Sequence, residues 1–156
     1  MTVVASDSTT LIVLSDMNRF DLLGSIFAKV YIPQTVLAEI TSKNNINLPD
    51  FIEIELPQDD DNLKAMKLLL DDGESEAIAL ALQKSIPLII DEKKGRKIAK
   101  NMGLKILGLV GIVYLNITRG VLDTAEARLF LESARNNGFR ISEKLINEMF
   151  ESLNAK

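Results

Sequence analysis

The feature that most constrains this chain is an alternation. Short aliphatic runs, each bounded by polar or turn-forming residues, are separated by longer stretches with helical spacing. TVVAS at 2–6, KVYIP at 29–33, FIEIEL at 51–56, IPLII at 86–90 and LKILG at 104–108 read as strands. Between and after them, the spacing predicts helices in STTLIVLSDM, NRFDLLGSIF, PQTVLAEITSK, QDDDNLKAMKLLLDDG, GESEAIALALQK, EKKGRKIAKNMG, LVGIVYLNITRG, DTAEARLFLESARNNG and SEKLINEMFESLN. KNNINLP reads as a polar loop, and FIEIEL alternates like a half-exposed edge strand. Strands that alternate with helices imply an α/β fold in which a parallel sheet carries helices on both faces. In such sheets the ligand crevice lies at the carboxyl ends of the strands.

Composition narrows the chemistry. The 156 residues contain no histidine and no cysteine. Imidazole bases, Ser-His-Asp triads and the usual zinc sites are therefore excluded, and carboxylate, lysine and hydroxyl chemistry remains. With 47% hydrophobic residues, a chain of this length buries roughly two-thirds of its unfolded surface in one core. The amino terminus MTVVASDSTTLIVL lacks the basic start of a signal peptide, and LVGIVYLNI is far short of a membrane span. A cytoplasmic protein without membrane contact is expected. The net charge of −4 argues against broad electrostatic attraction of nucleic acid, though not against a local basic groove.

Two acids acquire a location from the predicted topology. Asp7 ends the first strand and Asp91 ends PLII, so parallel pairing brings both to one sheet edge despite their separation in sequence. Each alone reads equally well as a cap of the next helix. Close together they repel, and a cation is the simplest relief. Glu39 borders the apolar stripe of its helix, a place where a solvated glutamate is ordinary. Glu74 lies three residues after Asp71, the spacing of a capping box, whereas Glu76 has no such explanation and precedes the small apolar run AIALA.

In this order the segments VVASDSTTLIVL, VYIPQTVLAEI and GESEAIALALQKSIPLIIDEKKGRKIAKNMGLKILGLVGIV resemble the PIN-domain nucleases, including toxins of the VapC kind and their many relatives. The resemblance spans most of residues 2–121 and implies a three-layer α/β/α domain over 1–156. Its central, mainly parallel sheet would have four to five short strands, with residues 122–156 as extra carboxyl-terminal helices. It also implies an acidic catalytic and metal-binding site of Asp7, Glu39, one of Glu74 and Glu76, and Asp91, with Thr9 as a supporting hydroxyl. Many members have an aspartate where this chain has glutamates; counting back from Asp91 favours Glu74, and the AIALA context favours Glu76. The implied activity is Mg²⁺- or Mn²⁺-dependent endoribonuclease action, the ion acting as a Lewis acid and activating water. Toxins of this kind form homodimers and are inhibited by an antitoxin protein.

Lys93, Lys94, Arg96, Lys97 and Lys100 follow Asp91 and read either as a solvated helix face or as a guide for RNA phosphates. The alternative to a nuclease is a catalytically inactive PIN-like module that binds RNA or protein. A nucleotide-binding α/β protein ranks lower, because no Gly-rich phosphate loop follows any predicted strand.

Overall fold

A computed structural model of the protein describes residues 2–42 and 45–154. The strands are β1 (Thr2–Ser6), β2 (Phe27–Ile32), β3 (Ile52–Ile54), β4 (Leu88–Ile89) and β5 (Ile106–Leu107). They form one sheet in the order β3-β2-β1-β4-β5, and every adjacent pair is parallel. The half-exposed alternation of FIEIEL belongs, as expected, to an edge strand. Lys43 and Asn44, where the predicted helix from Pro33 passes into the polar loop, lie outside the described residues.

The described helices are α1 (Ser8–Asp16), α2 (Asp21–Gly24), α3 (Gln34–Thr41), α4 (Asp61–Lys67), α5 (Asp72–Lys84), α6 (Lys93–Asn101), α7 (Leu109–Thr118), α8 (Thr124–Asn136) and α9 (Glu143–Asn154). The strand period of two divides the core. On one face, Val4, Val30 and Ile89 pack with the apolar sides of α1, α3 and α7. On the other, Ala5, Leu88 and Ile90 pack with α4, α5 and α6. The result is the three-layer α/β/α arrangement.

The carboxyl-terminal helices are joined to this core. Ala127, Phe130, Leu131 and Ala134 of α8 and Ile146, Met149 and Phe150 of α9 are buried in the same apolar cluster as α7. Their apolar residues recur at helical spacing, so one stripe of each helix is covered, and the rest is mostly polar apart from the exposed Leu129 and Leu145. The entry to α8 is a capping box: the Glu126 N–H donates to Asp123 Oδ1 at 2.8 Å, and the Asp123 N–H donates to Glu126 Oε1 at 3.0 Å. No described helix is long and apolar enough to cross a membrane.

Candidate metal centre

Four short connections meet at the carboxyl edge of the sheet: β1 to α1, the start of α5, β4 to α6, and β5 to α7. Asp7 lies between β1 and α1 and is buried. Its carboxylate makes no cap bond into α1. Asp91 follows β4, yet the N-cap of the next helix is Glu92, which accepts from the Gly95 N–H at 2.8 Å. Asp91 instead accepts from the Leu109 N–H, the first residue of α7, at 3.1 Å, and from the Thr10 hydroxyl. Neither carboxylate makes a cap bond into the helix that follows it in sequence, although Asp7 occupies the N-cap position of α1. Tertiary packing has turned both toward the sheet edge.

The glutamates separate. Glu74 is buried at the first turn of α5, where Asp71 Oδ1 accepts from its backbone N–H at 2.8 Å. Only that half of the capping box forms. Glu76 is paired with Lys67 at 3.5 Å and so has its own counter-ion. Among the described ion pairs, none includes Asp7, Glu39, Glu74 or Asp91. Two residues along a helix is more than half a turn, so Glu74 and Glu76 cannot share a face. Glu39, exposed on α3, accepts from the Ser8 hydroxyl at 2.7 Å, which ties α3 to the first turn of α1.

The crowding is visible in the electrostatics. Burial is the main cause that raises the Asp7 carboxyl from 3.8 to about 7; the Ser8 backbone N–H opposes this, and the charges of Glu39, Asp71 and Asp91 add to it. Burial also raises Glu74 well above the usual carboxyl range, with further contributions from the adjoining carboxyls of Asp71 and Glu92 and from the charges of Asp71 and Asp7. Its Oε2 is buried without a hydrogen-bond donor. The neighbouring carboxylates can bond to it only through a proton. Asp91 is raised by burial, against the Thr10 hydroxyl, the Leu109 N–H and the charge of Arg96.

Three close approaches to the acids need glycine, the tightest at Gly73, where a Cβ would collide with Glu39 Oε1. A Cβ at Gly95 would lie 2.8 Å from Glu74 Oε2 and 2.7 Å from Ile90 Cδ1, and one at Gly108 would lie 2.5 Å from Asp91 Oδ1. Backbone at α6 and α7 is thus part of the wall against which these acids rest.

A divalent cation fits the chemistry of this donor set. It is all oxygen, it holds more negative charge than nearby cations offset, and it leaves a buried carboxyl oxygen unpartnered. As the side chains lie, no three acids among the described residues are gathered closely enough to hold an ion. Bringing them onto one ion takes side-chain rotation.

The sequence reading placed Asp7, Glu39, one of Glu74 and Glu76, and Asp91 around this edge. The hydroxyls that contact carboxylates there are Ser8 and Thr10, while the expected supporting residue, Thr9, lines a neighbouring cavity. Asp71 and Glu92 were not anticipated as members of the cluster. Their signal was present: a cap three residues before Glu74 shares its end of α5, and a residue adjoining Asp91 opens α6. Of the basic run, Arg96 acts electrostatically on Asp91, Lys94 on Glu92, and Lys93 lines the cavity beside Asp91. Lys97 and Lys100 are exposed along α6.

A family model described as a PIN domain matches residues 3–155. The chain belongs to the PIN-domain family. PIN domains are in general nucleases that act on nucleic acids with divalent metal ions, and the parallel five-stranded sheet with helices on both faces is their fold. The match extends through α8 and α9, so the carboxyl-terminal helices fall within the family pattern of this PIN domain. Among solved structures, it is similar to a PilT N-terminus domain protein from the hyperthermophilic archaeon Sulfolobus solfataricus P2. The two are 18% identical with a TM-score of 0.45, over 91% of this chain and 100% of the other. No curated protein matches.

Proposed function

We propose that this PIN domain is a Mg²⁺- or Mn²⁺-dependent endoribonuclease that hydrolyses RNA phosphodiester bonds, with Asp7, Glu39, Glu74 and Asp91 as the ion's ligands. The observation that carries the reading is the unneutralised crowding at the sheet edge. Acids from four separate segments converge there, Asp7 is raised to about 7, and the described ion pairs leave all four without a salt-bridge partner. A folded protein that keeps such repulsion gains from it only when a cation arrives.

The ion, when bound, supplies Lewis-acid polarisation of the phosphodiester and acidifies water. The residues of the chain prepare for it. Thr10 and the Leu109 N–H orient Asp91, Ser8 orients Glu39, and the first turn of α5 presents Glu74. Asp7 and Glu74, whose carboxyls are raised in the metal-free protein, would have to give up their protons to serve as ligands. Arg96 and Lys93 at the rim offset the negative field that an incoming RNA backbone meets. Glu76, already paired with Lys67, lies outside the ligand set. We place the activity in the cytoplasm, in a homodimeric toxin restrained by an antitoxin protein, on the strength of the likeness to VapC-type toxins.

The test is cleavage of RNA in Mn²⁺ or Mg²⁺ against EDTA, with Asp7→Asn and Asp91→Asn. Cleavage should need the ion and vanish in both variants while the fold persists. Metal-independent RNA binding with no cleavage under any divalent ion would refute the enzyme reading in favour of a binding module.

A further inference from the structure

Beside Asp91 the surface opens into a cavity of about 600 Å³. Its walls come from α1, the start of α6 and the turn between α8 and α9, and its lining includes Ile12, Asp16, Asp91, Lys93, Phe139 and Arg140. The turn is firmly held. The Gly138 N–H donates to Arg135 O and the Phe139 N–H to Ala134 O, both at 3.0 Å. Gly138 has φ +93, a conformation other residues rarely adopt, and Arg135 is bonded to Glu143 across the turn at 2.9 Å. Phe139 packs on the apolar core, which fixes the wall from beneath. The two carboxyl-terminal helices thus serve the edge of the acidic site by holding a cationic and aromatic wall next to it.

We propose that this cavity is a subsite for the nucleotide adjoining the scissile phosphate of a single-stranded RNA. The base would rest on Ile12 and Phe139, and the backbone phosphate would meet Arg140 and Lys93. The inference rests on the nuclease reading of the same edge. Three features argue for this occupant. The volume falls in the range of small-molecule pockets, ample for one nucleotide. The apolar and aromatic floor suits an unstacked base, and single-stranded RNA is the form that offers one. The cavity shares Asp91 with the acidic cluster, so a bound nucleotide is continuous with the bond to be cut. Asp16 and Glu92, at the same lining, present only acceptors and disfavour phosphate, which leaves Arg140 and Lys93 as its partners.

The experiment uses the full chain and a fluorescein-labelled single-stranded RNA ten-mer of mixed sequence. Binding is measured in EDTA over a salt series, and cleavage in Mn²⁺. Arg140→Gln and Ile12→Trp both alter exposed positions, and unchanged circular dichroism and melting confirm their folds. Arg140→Gln should weaken binding about tenfold or more and lower the slope of log affinity against log salt by about 0.7 for the lost phosphate contact. Ile12→Trp, which fills the cavity, should raise KM with little change in kcat. Wild-type affinity, salt slope and cleavage pattern in both Arg140→Gln and Ile12→Trp would overturn the subsite while leaving the nuclease reading intact. Binding that depends on Arg140 and Ile12, with no cleavage of the ten-mer in Mn²⁺, would overturn the nuclease reading and leave the cavity a nucleotide-binding site with no bond to cut.

Discussion

Replacing Asp7 by asparagine should make the metal-free protein more stable while abolishing its response to metal. The reasoning starts from burial: the Asp7 carboxyl, ordinarily near 3.8, is raised to about 7 in the folded protein. Between those values the folded state binds more protons than the unfolded state, so stability falls as pH rises from about 4 to about 7 and stays lost above that. The full shift corresponds to at most about 4 kcal/mol against the ionised folded form. Asparagine removes the charge but leaves a buried amide, so a gain of roughly 1–3 kcal/mol at pH 8 is expected. For a chain of this size that is a rise in Tm of roughly 2–10 °C. No helix cap is lost, because the carboxylate makes no cap bond into α1. Glu74, also raised, adds a slope of the same sign that persists above neutrality in both proteins.

Thermal melts of wild type and Asp7→Asn at pH 5 and pH 8, in EDTA and in Mn²⁺, read all of this at once. In EDTA the variant should exceed wild type at pH 8 and approach it at pH 5. In Mn²⁺ wild type should gain about 2.7 kcal/mol at a hundredfold excess of ion over Kd, and the variant far less. A variant that is less stable than wild type in EDTA at pH 8, or that Mn²⁺ stabilises as much as wild type, would refute the account of Asp7 as a charge held ready for a cation.

Glu74→Gln should eliminate metal-dependent cleavage, whereas Glu76→Gln should retain it and lose no more than about 1 kcal/mol with the half-exposed Lys67 pair; parallel activity assays and melts separate the two. Gly108→Ala places a methyl group 2.5 Å from Asp91 Oδ1, so it should displace that carboxylate, reduce cleavage and cost about 1–3 kcal/mol by denaturant unfolding. Asp123→Ala breaks the capping box of α8, remote from the acids, and should lower stability by about 1 kcal/mol with kcat unchanged.

Much of the fold was legible because the signals were local. Period-two and helical spacing are written in neighbouring residues, as are the Asp123 and Glu126 cap and the edge character of Ile52–Ile54. The convergence of Asp7 with Asp91 was also legible, since parallel strands joined by helices have few alternative arrangements. The roles of hydroxyls were harder to read. Ser8, Thr9 and Thr10 occupy successive positions at the start of α1, and which of them meets a carboxylate depends on where α3 and β4 lie. The wall that α8 and α9 bring to the cavity had no sequence signal, because Phe139 and Arg140 sit in a turn whose position depends on two helices packing against α7.

By itself, the sequence determined the alternation, the parallel sheet, the absence of imidazole and thiol chemistry, and the acids at the strand ends. These follow from residue types and from spacing along one element. Only the tertiary structure separates the surroundings of Glu74 and Glu76, two residues apart near the start of α5: Asp7, Asp71 and Glu92 act on one, Lys67 pairs with the other. It likewise turned Asp91 from the cap of its own helix into an acceptor at the start of α7. A carboxylate's charge state and partner are set by neighbours in space, which one-dimensional spacing does not specify.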